Sequence, residues 1–580
     1  MIALVLQLGG CLPSFPAWHD DTGAIGADGG ADGGGTDGGT DGGTDGGTDG
    51  GTDGGGSDGG TDGGTDGGGT NTDADGDSWS VEDGDCDDAN AAVHPKATEI
   101  CNDHIDNNCD DSPDDCQLTG TLDVTTAQTI FVGSKGTGRF GQALTLLPTT
   151  ARALPAIAAP LESGGRVYAY SSVITGTLGT DVATTTLRGD SATDQAGVDL
   201  AAGPVIGSAD ADLVVASYPA PAATGLLPGG DATLAVVEAP LSPDSLLLSE
   251  AARTWTGGEV AVSSAQARLS TPADIDGDGL ADVGIGGFTF VGGDPVLGAS
   301  TSKGFADFIH GPITSDGLLD SADLRLSTTT SGARLGSDLD TADFDGDGIA
   351  DLAIGASGYP NAGGGLTDDG RVFVIMSTSG GLSGSFDVEL AADCAVVSGG
   401  TAHRLGATVR NAGDFNGDGI DDLAIGAPAT STTGLYDGDV TIFDGLALST
   451  GTQYSPTDAL LHLSGRDLGG GQGSRLGQAI AAAGDMDGDG RADLLLGAPE
   501  DQGSLGAAGV VYLVLGGQTG AATVDDVAVA HLVGESGSQL GWSIAAGQDL
   551  DGDGTPDLLL GAPGWGGDRG RAYLVQGLSD

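Results

Sequence analysis

The sequence predicts an all-β protein whose main part, residues 117–580, is a seven-bladed β-propeller with four-stranded blades. Three observations support this prediction. An acidic segment recurs five times, with starts 69, 71, 71 and 64 residues apart, and a strand with a recognisable opening recurs seven times over the same region. Each repeat also holds four short apolar stretches separated by Gly-rich turns, which is typical of a propeller blade rather than of a helical solenoid.

The acidic segments follow the pattern Asp-x-Asp-Gly-Asp-Gly-x-x-Asp. Side chains at positions 1, 3 and 5 of such a tight loop converge on one point, and the glycines permit the positive φ values that the turn needs. A carbonyl at position 7 and the Asp at position 9 complete an oxygen cage, which suits Ca²⁺ better than Mg²⁺. The predicted calcium ligands are Asp274, Asp276, Asp278 and Asp282; Asp343, Asp345, Asp347 and Asp351; Asp414, Asn416, Asp418 and Asp422; Asp485, Asp487, Asp489 and Asp493; and Asp549, Asp551, Asp553 and Asp557.

A solvated acidic turn is the alternative interpretation of these segments, but five copies in register favour a repeated cation site. In the third copy Asn416 replaces an acid, which lowers the charge and keeps an oxygen. The segments are not EF-hands, because strand-like runs flank them and no Glu stands at position 12. Since the loop repeats whatever the ligand of the protein is, we expect the ions to be structural.

The second marker is a strand that usually opens with Gly and carries alternating apolar or aromatic residues. Its seven copies imply that two N-terminal repeats lack the acidic loop, and residues 211–216 support one of them because they match 350–355 without the upstream acids. The chain ends soon after the last copy, so residues 122–132 are predicted to complete the last blade and to pair with the C-terminal strand. Closing the ring in this way removes an exposed sheet edge. The copies are residues 165–168, 233–236, 304–307, 370–373, 438–441, 509–512 and 570–573.

Short Gly-containing motifs flank the acidic loops. Leu476-Gly477 and Gly497-Ala498-Pro499 bracket the loop that begins at Asp485, and Phe140-Gly141 opens the first repeat. These motifs resemble the FG-GAP repeat of the integrin alpha-subunit propeller, over roughly four-fifths of the chain. The resemblance implies a non-enzymatic module for adhesion or ligand capture. A propeller enzyme acting on polysaccharide as a lyase or hydrolase, and a purely structural envelope protein, are the alternatives.

The charge balance excludes several function classes. The chain has 84 Asp and Glu against 19 Lys and Arg, a formal charge of −65. Phosphates would be repelled along most of this surface, which excludes nucleic acid and an anionic lipid surface as partners. No run of 18 apolar residues occurs, so no transmembrane helix is predicted. Self-repulsion on this scale opposes a compact fold unless bound cations offset it.

Residues 1–11 are predicted to be a lipoprotein-type signal segment. Leu8-Gly9-Gly10-Cys11 follows a largely apolar start and resembles the cleavage box of bacterial lipoproteins, which implies lipidation of Cys11. The usual charged start is missing because the first Lys or Arg is Lys96, so either the true start lies upstream or the signal is a poor one. An ordinary apolar N-terminus with a stray Cys is the alternative.

Residues 12–72 are predicted to be a disordered tether, because Gly, Asp and Thr dominate them and cannot build a core. With a lipidated Cys11, this tether would join a monomeric folded head to the membrane through a lipid anchor alone. We therefore expect a protein that is exported and held at the bacterial outer membrane or cell surface.

Residues 73–116 form a predicted Cys- and Asp-rich module. Residues 85–88 and 99–110 resemble a short metal-binding motif of bacterial surface proteins. The four cysteines imply two disulfides in any of three pairings. Their spacing does not suit zinc, while Asp73, Asp75 and Asp77 at alternate positions suit calcium, and whether the module binds a metal is left open. The disulfide candidates are Cys86, Cys101, Cys109 and Cys116.

The predicted ligand face lies on the rim opposite the acidic loops. Those loops join the first and second strands of a blade, so the turns after the second and fourth strands share the other rim. Aromatic rings there offer rigid contact area for an unidentified protein or glycan, while packing against neighbouring blades is an equal alternative. Arg188-Gly189-Asp190 lies in a turn that sister repeats also have, so we interpret it as a fold element. The ligand-face candidates are Phe290, Tyr359, Tyr436 and Trp565.

Overall fold

The computed structural model of the 580-residue chain describes residues 118–577 with internal gaps, and scattered residues between 75 and 109. Seven sheets within the described residues form a seven-bladed β-propeller, which confirms the predicted fold class. The predicted signal segment, Cys11 and the tether lie outside the described residues. The gaps after residue 118 are 151, 171–174, 208–209, 218–231, 242–244, 258–264, 290–302, 361–367, 399–402, 431–436, 451–452, 467, 469–472, 502–507 and 553–554.

Each blade has four antiparallel strands, with the first strand at the centre of the ring and the fourth farther out. The first strands are Leu144–Leu147, Asp199–Gly203, Ala265–Leu269, Leu335–Ala342, Thr408–Gly413, Ala479–Gly484 and Ser543–Gln548. The second strands are Leu154–Ala159, Asp212–Ser217, Val283–Thr289, Asp351–Ala356, Asp422–Ala427, Asp493–Ala498 and Asp557–Ala562. The third strands are Arg166–Ala169, Thr233–Val237, Phe305–Ile309, Arg371–Ile375, Asp439–Phe443, Val510–Val514 and Arg571–Val575. The fourth strands are Thr185–Arg188, Arg253–Thr256, Leu324–Ser327, Cys394–Val397, Leu461–Ser464, Ala530–Val533 and Thr129–Val132.

The sheets differ from the prediction in one respect, because each has a fifth, outermost strand. This strand pairs in parallel with the fourth strand and comes from the next repeat around the ring, as where Gly520–Thr523 joins Leu461–Ser464. The added strand pairs with backbone groups along the outer edge of the fourth strand and links neighbouring repeats. A short helix or 3-10 turn follows each of these strands: Val388–Ala391, Val524–Val527, Val124–Thr126, Thr180–Val182, Leu248–Glu250, Leu319–Ser321 and Pro456–Asp458. Two further short helices, Gly445–Thr450 and Trp565–Asp568, follow a third and a second strand. The fifth strands are Ser245–Leu247, Gly317–Leu318, Gly384–Asp387, Gln453–Tyr454, Gly520–Thr523, Gly120–Asp123 and Gly176–Gly179.

The two sequence markers meet at the junctions between blades. Gly370, which opens a third strand, forms an isolated bridge with Leu405 of the next Leu-Gly pair. A Cβ on Gly370 would lie 2.2 Å from the Leu405 carbonyl oxygen, and its φ of +90° also disfavours other residues. Six such bridges occur among the described residues, so these glycines recur because backbone approaches backbone at six of the seven junctions.

The ring closes as predicted with a strand from the start of the propeller, but only residues 129–132 of the predicted 122–132 join the last blade. Thr129–Val132 pairs antiparallel with Arg571–Val575 and completes the seventh blade with a strand from the beginning of the propeller. Gly120–Asp123 joins the sixth blade in parallel, so the closure spans two junctions. Aliphatic and aromatic side chains fill the space between adjacent blades, and Cys394 is buried there without a disulfide.

In the Cys-rich module, the described residues contain one disulfide, Cys86–Cys109, with 5.7 Å between the Cα atoms. This pairing removes two of the three alternatives that the sequence left open. Cys101 and Cys116 lie outside the described residues. Buried Val93 and the stacked rings of Trp79 and His94 form a small core.

Candidate metal centres

The five acidic loops lie on one rim, each between the first and second strands of its blade. The second residue of each loop points inward: Phe344 and Phe415 are fully buried between blades. Backbone hydrogen bonds join loops of adjacent blades, since Ala350 N–H donates to the Asp274 carbonyl at 2.8 Å and Ala492 N–H to the Asp414 carbonyl at 2.9 Å. The loops are thus part of the contact between blades.

Backbone amides fold each loop around its first acid. In the fourth blade, Gly346 and Asp347 N–H donate to Asp343 Oδ1 at 2.8 and 3.1 Å, and Gly348 N–H donates to Asp343 Oδ2 at 2.8 Å. Asp345 Oδ1 accepts from Asp347 N–H at 3.1 Å, and Asp347 Oδ1 accepts from Ile349 N–H at 2.9 Å. The Oδ2 atoms of Asp345 and Asp347 accept no hydrogen bond from any described residue, so they stay available to a cation.

The folded loops bring carboxylates together. In four blades, three acids each place one oxygen within 4.8 Å of the others, a spacing that one ion can bridge. The donors are all oxygen, which is the chemistry of a hard cation. The groups are Asp274, Asp276 and Asp282; Asp343, Asp345 and Asp347; Asp485, Asp487 and Asp493; and Asp549, Asp551 and Asp557.

The ninth-position Asp has a second role that the sequence analysis missed. In the sixth blade, Asp493 Oδ2 accepts from Met486 N–H at 2.7 Å and Oδ1 accepts from Gly516 N–H at 2.8 Å, beyond the third strand. In the second blade, which lacks the acidic loop, Asp212 accepts in the same way from Ile206 N–H at 2.9 Å and Ala239 N–H at 3.1 Å. This buried Asp therefore pins the loop to the third strand with or without a metal site. The match between residues 211–216 and 350–355 was the available signal.

The pinning acids also carry shifted pKa values. Burial raises the pKa of Asp351, Asp422 and Asp493 to about 7, although the amides that donate to them act in the opposite direction. Burial raises the pKa of Asp282 to about 6. Around them, burial and the nearby carboxylates of Asp347 and Asp343 raise the pKa of Asp345. Crowded, partly buried carboxylates of this kind favour a bound cation.

The loops differ in what stands beside them. His310 Nδ1 lies 3.1 Å from Asp276 Oδ2 in the third blade, and Gln576 occupies the corresponding place beside Asp551 in the seventh. In the fifth blade, Asn416 Nδ2 donates to Asp418 Oδ2 at 3.1 Å. Asp553 lies outside the described residues.

The opposite rim holds two of the four ligand-face candidates, since Phe290 and Tyr436 lie outside the described residues. Trp565 is half-buried: its Nε1–H donates to Glu535 at 3.0 Å and the Arg571 guanidinium lies 3.6 Å from the ring centre. Tyr359 is also half-buried, with Arg371 4.2 Å from its ring centre. Both rings thus contact an arginine side chain of the third strand and keep part of their surface exposed.

The Arg-Gly-Asp tripeptide is built into the fold. Asp190 Oδ2 accepts from Ser249 N–H at 3.1 Å, and the Ser249 hydroxyl donates to Asp190 Oδ1. Arg188 ends a fourth strand. These contacts fit the interpretation of this turn as a fold element.

Comparison with known families matches the four blades with the strongest markers. Residues 335–375, 406–443, 476–514 and 540–575 match a model described as FG-GAP repeat. The chain carries FG-GAP repeats. Each matched stretch runs from the first to the third strand of blades four to seven, around one acidic loop. Residues 85–115 match a second model, described as "Putative metal-binding motif".

Curated relatives match stretches of 159 to 185 residues of this chain. Integrin alpha-4 of Xenopus laevis is 33% identical over 168 residues, which is 29% of this chain and 14% of the integrin. Integrin alpha-5 of Xenopus laevis is 36% identical over 159 residues, 27% of this chain and 14% of that protein. Phosphatidylinositol-glycan-specific phospholipase D of Mus musculus is 32% identical over 185 residues, 31% of this chain and 20% of that protein.

The matches thus cover between 14% and 20% of these three relatives. Because integrins and a phospholipase D are both similar to this chain, the similarity alone does not assign an activity. The integrin-like propeller fits a ligand-binding or adhesion module. Among the described residues, no helix is long and apolar enough to span a membrane.

Proposed function

We propose that this protein is a calcium-binding β-propeller displayed at the cell surface, where it acts as an adhesion or ligand-binding module. The observation that carries the proposal is the set of five acidic loops, in register on one rim of a propeller with FG-GAP repeats. The metal rim would brace the blades, and the opposite rim would be left for a ligand. This division follows from the strand order, because the loops and the ligand-face candidates lie at opposite strand ends.

Calcium is the cation that the loops favour. All their charged donors are carboxylates, and the unused oxygens of Asp345 and Asp347 lie beside Asp343 in one cluster. The formal charge of −65 adds a general demand for cations. Ca²⁺ accepts six to eight oxygens in flexible geometry, whereas Mg²⁺ demands a stricter octahedron.

A direct binding screen tests the ligand-binding function. The full chain, loaded with Ca²⁺, is applied to arrays of glycans, cell-wall fragments and surface proteins, and the same arrays are probed with a catalytic readout for polysaccharide cleavage. We expect saturable binding without product formation. Product release from a bound polysaccharide would favour the enzyme alternative, and absence of any binding would favour a structural envelope role.

Mutation of Trp565 tests the ligand face. If a ligand uses the rim opposite the metal loops, Trp565→Ala weakens its binding at least tenfold, about 1.4 kcal/mol, because the exposed part of the ring is lost. The Nε1–H bond to Glu535 predicts some loss of stability as well, so binding is measured at a temperature where circular dichroism shows the variant folded. Lower stability with unchanged affinity would mean that this ring only packs.

The placement at the membrane rests on residues 1–72 and is tested separately. Leu8-Gly9-Gly10-Cys11 supports lipidation of Cys11, and the Gly-rich stretch supports a tether to the head. Leu12 after the Cys favours outer-membrane sorting in the lipoproteins that it resembles. Cys11→Ser, expressed with the native upstream sequence, should move the protein from the detergent phase to the aqueous phase. Unchanged partitioning would reject the lipid anchor.

A further inference from the structure

The first strands of the seven blades enclose a central cavity of about 460 Å³. This volume falls in the range of small-molecule sites, which is about 300–1,000 Å³. The cavity wall is uneven: blades two to five supply charged side chains, and the other blades supply neutral ones such as Gln142, Gln478 and Trp542. The charged side chains are Asp199, Arg268, Asp338, Asp340 and Arg410.

Most of these acids accept hydrogen bonds from backbone N–H groups of neighbouring blades. The first strand of each blade is a sheet edge, so some of its N–H groups need partners outside the sheet. Asp199 Oδ2 accepts from Leu269 N–H at 3.0 Å, in the next blade. Asp340 accepts from Thr271 N–H and Asn411 N–H, both at 2.9 Å, and so joins three blades.

Two charged groups in the cavity are left with unused hydrogen-bonding capacity. The buried Nε of Arg268 has no hydrogen-bond partner among the described residues, and the guanidinium interacts with Asp338 through its charge. Asp338, which is 2% exposed, accepts through Oδ2 from Arg410 Nη1 at 2.7 Å and Val409 N–H at 2.9 Å, while its buried Oδ1 has no partner. A buried polar group without a partner destabilises the folded state, and more so when it is charged. The cavity thus contains a cationic donor, Arg268 Nε, and an anionic acceptor, Asp338 Oδ1, that a ligand could pair with.

We propose that the central cavity binds a small zwitterion with an ammonium and a carboxylate group, of the size of a free amino acid. The carboxylate would pair with Arg268 and the ammonium with Asp338 Oδ1. A zwitterion adds no net charge, whereas a simple anion would face Asp199, Asp338 and Asp340, and a simple cation would face both arginines. Guanidinium–carboxylate pairing is also geometrically specific, because it is often bidentate.

Binding is tested with the twenty proteinogenic L-amino acids and the full, Ca²⁺-loaded chain. Ligand-observed NMR identifies binders, and calorimetry gives their affinities. We expect at least one amino acid to bind saturably, and its N-acetyl and carboxamide derivatives to bind at least tenfold more weakly, because each lacks one charge. Absence of binding by all twenty, or equal binding of the derivatives, would overturn the proposal. Binding of galacturonate without any amino acid would overturn it too.

Two variants locate the site. Arg268→Gln should weaken binding at least tenfold. Because the charge of Arg268 also acts on the buried Asp338, binding is measured at a temperature where circular dichroism shows the variant folded. Asp338→Asn should weaken binding as well, although it also disturbs the contact with Arg410. Arg404→Gln is the matched control, because it removes the same charge from a residue that lies outside the cavity lining and pairs with Asp368. Unchanged affinity in Arg268→Gln, or an equal loss in Arg404→Gln, would refute the cavity site.

Discussion

The second and sixth blades share one structural device and differ in what is built on it. In both, a buried Asp at the start of the second strand accepts one N–H from the preceding turn and one from beyond the third strand. The sixth blade adds Asp485, Asp487 and Asp489 before that strand, and the second blade has no such acids. Nevertheless both blades pack into the same ring with the same strand order.

This difference separates fold from cation binding. Asp212 and Asp493 hold their blades together by accepting hydrogen bonds from backbone amides, which needs no metal. The acids at positions 1, 3 and 5 contribute charge that the fold itself does not use and that a cation would neutralise. Five blades should therefore respond to cation removal, and the first and second should respond only through their neighbours.

Removal of calcium is the largest expected effect. A ligand that binds only the native state at 100 times its Kd stabilises it by about 2.7 kcal/mol per site. With five loops, chelation with EDTA should lower the melting temperature of the full chain by many degrees, and excess Ca²⁺ should restore it. Calorimetric scans in the two conditions measure the shift. Equal melting temperatures would reject the metal-braced rim, and recovery with Mg²⁺ at the same concentration would reject calcium as the preferred ion.

The next largest effect is expected from Asp212, the buried Asp of the second blade, which lacks the acidic loop. Asp212→Ala removes the acceptor of two partly buried N–H groups, those of Ile206 and Ala239, and an unsatisfied buried group costs about 1–3 kcal/mol. Urea unfolding should show a destabilisation of about 3 kcal/mol that is equal in EDTA and in Ca²⁺. Asp212→Asn, which keeps one acceptor oxygen, is the milder control.

The same exchange in the sixth blade sharpens the contrast. Asp493→Ala should cost more in Ca²⁺ than in EDTA, because it removes a pin and a metal ligand together. If Asp212→Ala also depended on calcium, or Asp493→Ala did not, the separation of the two roles would be wrong.

A single loop can be removed without touching its pin. Asp487→Ala deletes a third-position acid, so the number of bound calcium ions should fall by one and stability in Ca²⁺ should drop by about 2.7 kcal/mol at 100 Kd. Isothermal titration gives the stoichiometry. Asp181→Ala, an exposed acid of the first blade, removes the same charge and should change neither quantity. An equal effect of both variants would mean that only the net charge matters.

The sequence predicted the ring well because its markers come from backbone constraints. A glycine such as Gly370 recurs at six of the seven junctions because an added Cβ would meet the backbone of the next blade, and the loop acids recur with a fixed spacing. The missing fourth strand of the last blade followed from the same counting. The fifth strand of each sheet was missed, because a stretch as short as Gly520–Thr523 has no pattern of its own and is defined by its partner in the previous blade.

The candidate sites divide in the same way. The loop acids are local in sequence, so their convergence could be predicted from spacing. The central cavity could not be, because Arg268, Asp338 and Arg410 come from three blades and meet only when the ring closes. The sequence match at Asp212 pointed to the structural role of the buried Asp. Its two donors, the N–H groups of Ile206 and Ala239, could not be predicted because backbone amides leave no sequence pattern.

The smallest expected effect compares the loop of the fifth blade with its sisters. Asn416 donates through Nδ2 to Asp418 at 3.1 Å and so satisfies a carboxylate that a cation would otherwise neutralise. Asn416→Asp removes this donor and adds a charge, and calcium affinity rises with the number of charged ligands. We expect about tenfold tighter binding at this one site, about 1.4 kcal/mol, and lower stability in EDTA because four carboxylates then crowd the loop. Asp345→Asn makes the reverse exchange in the fourth blade and should weaken its site by a similar factor. Calcium titrations of both variants against the parent chain measure the change. Shifts in the same direction would show that position 3 acts through loop packing rather than through its charge.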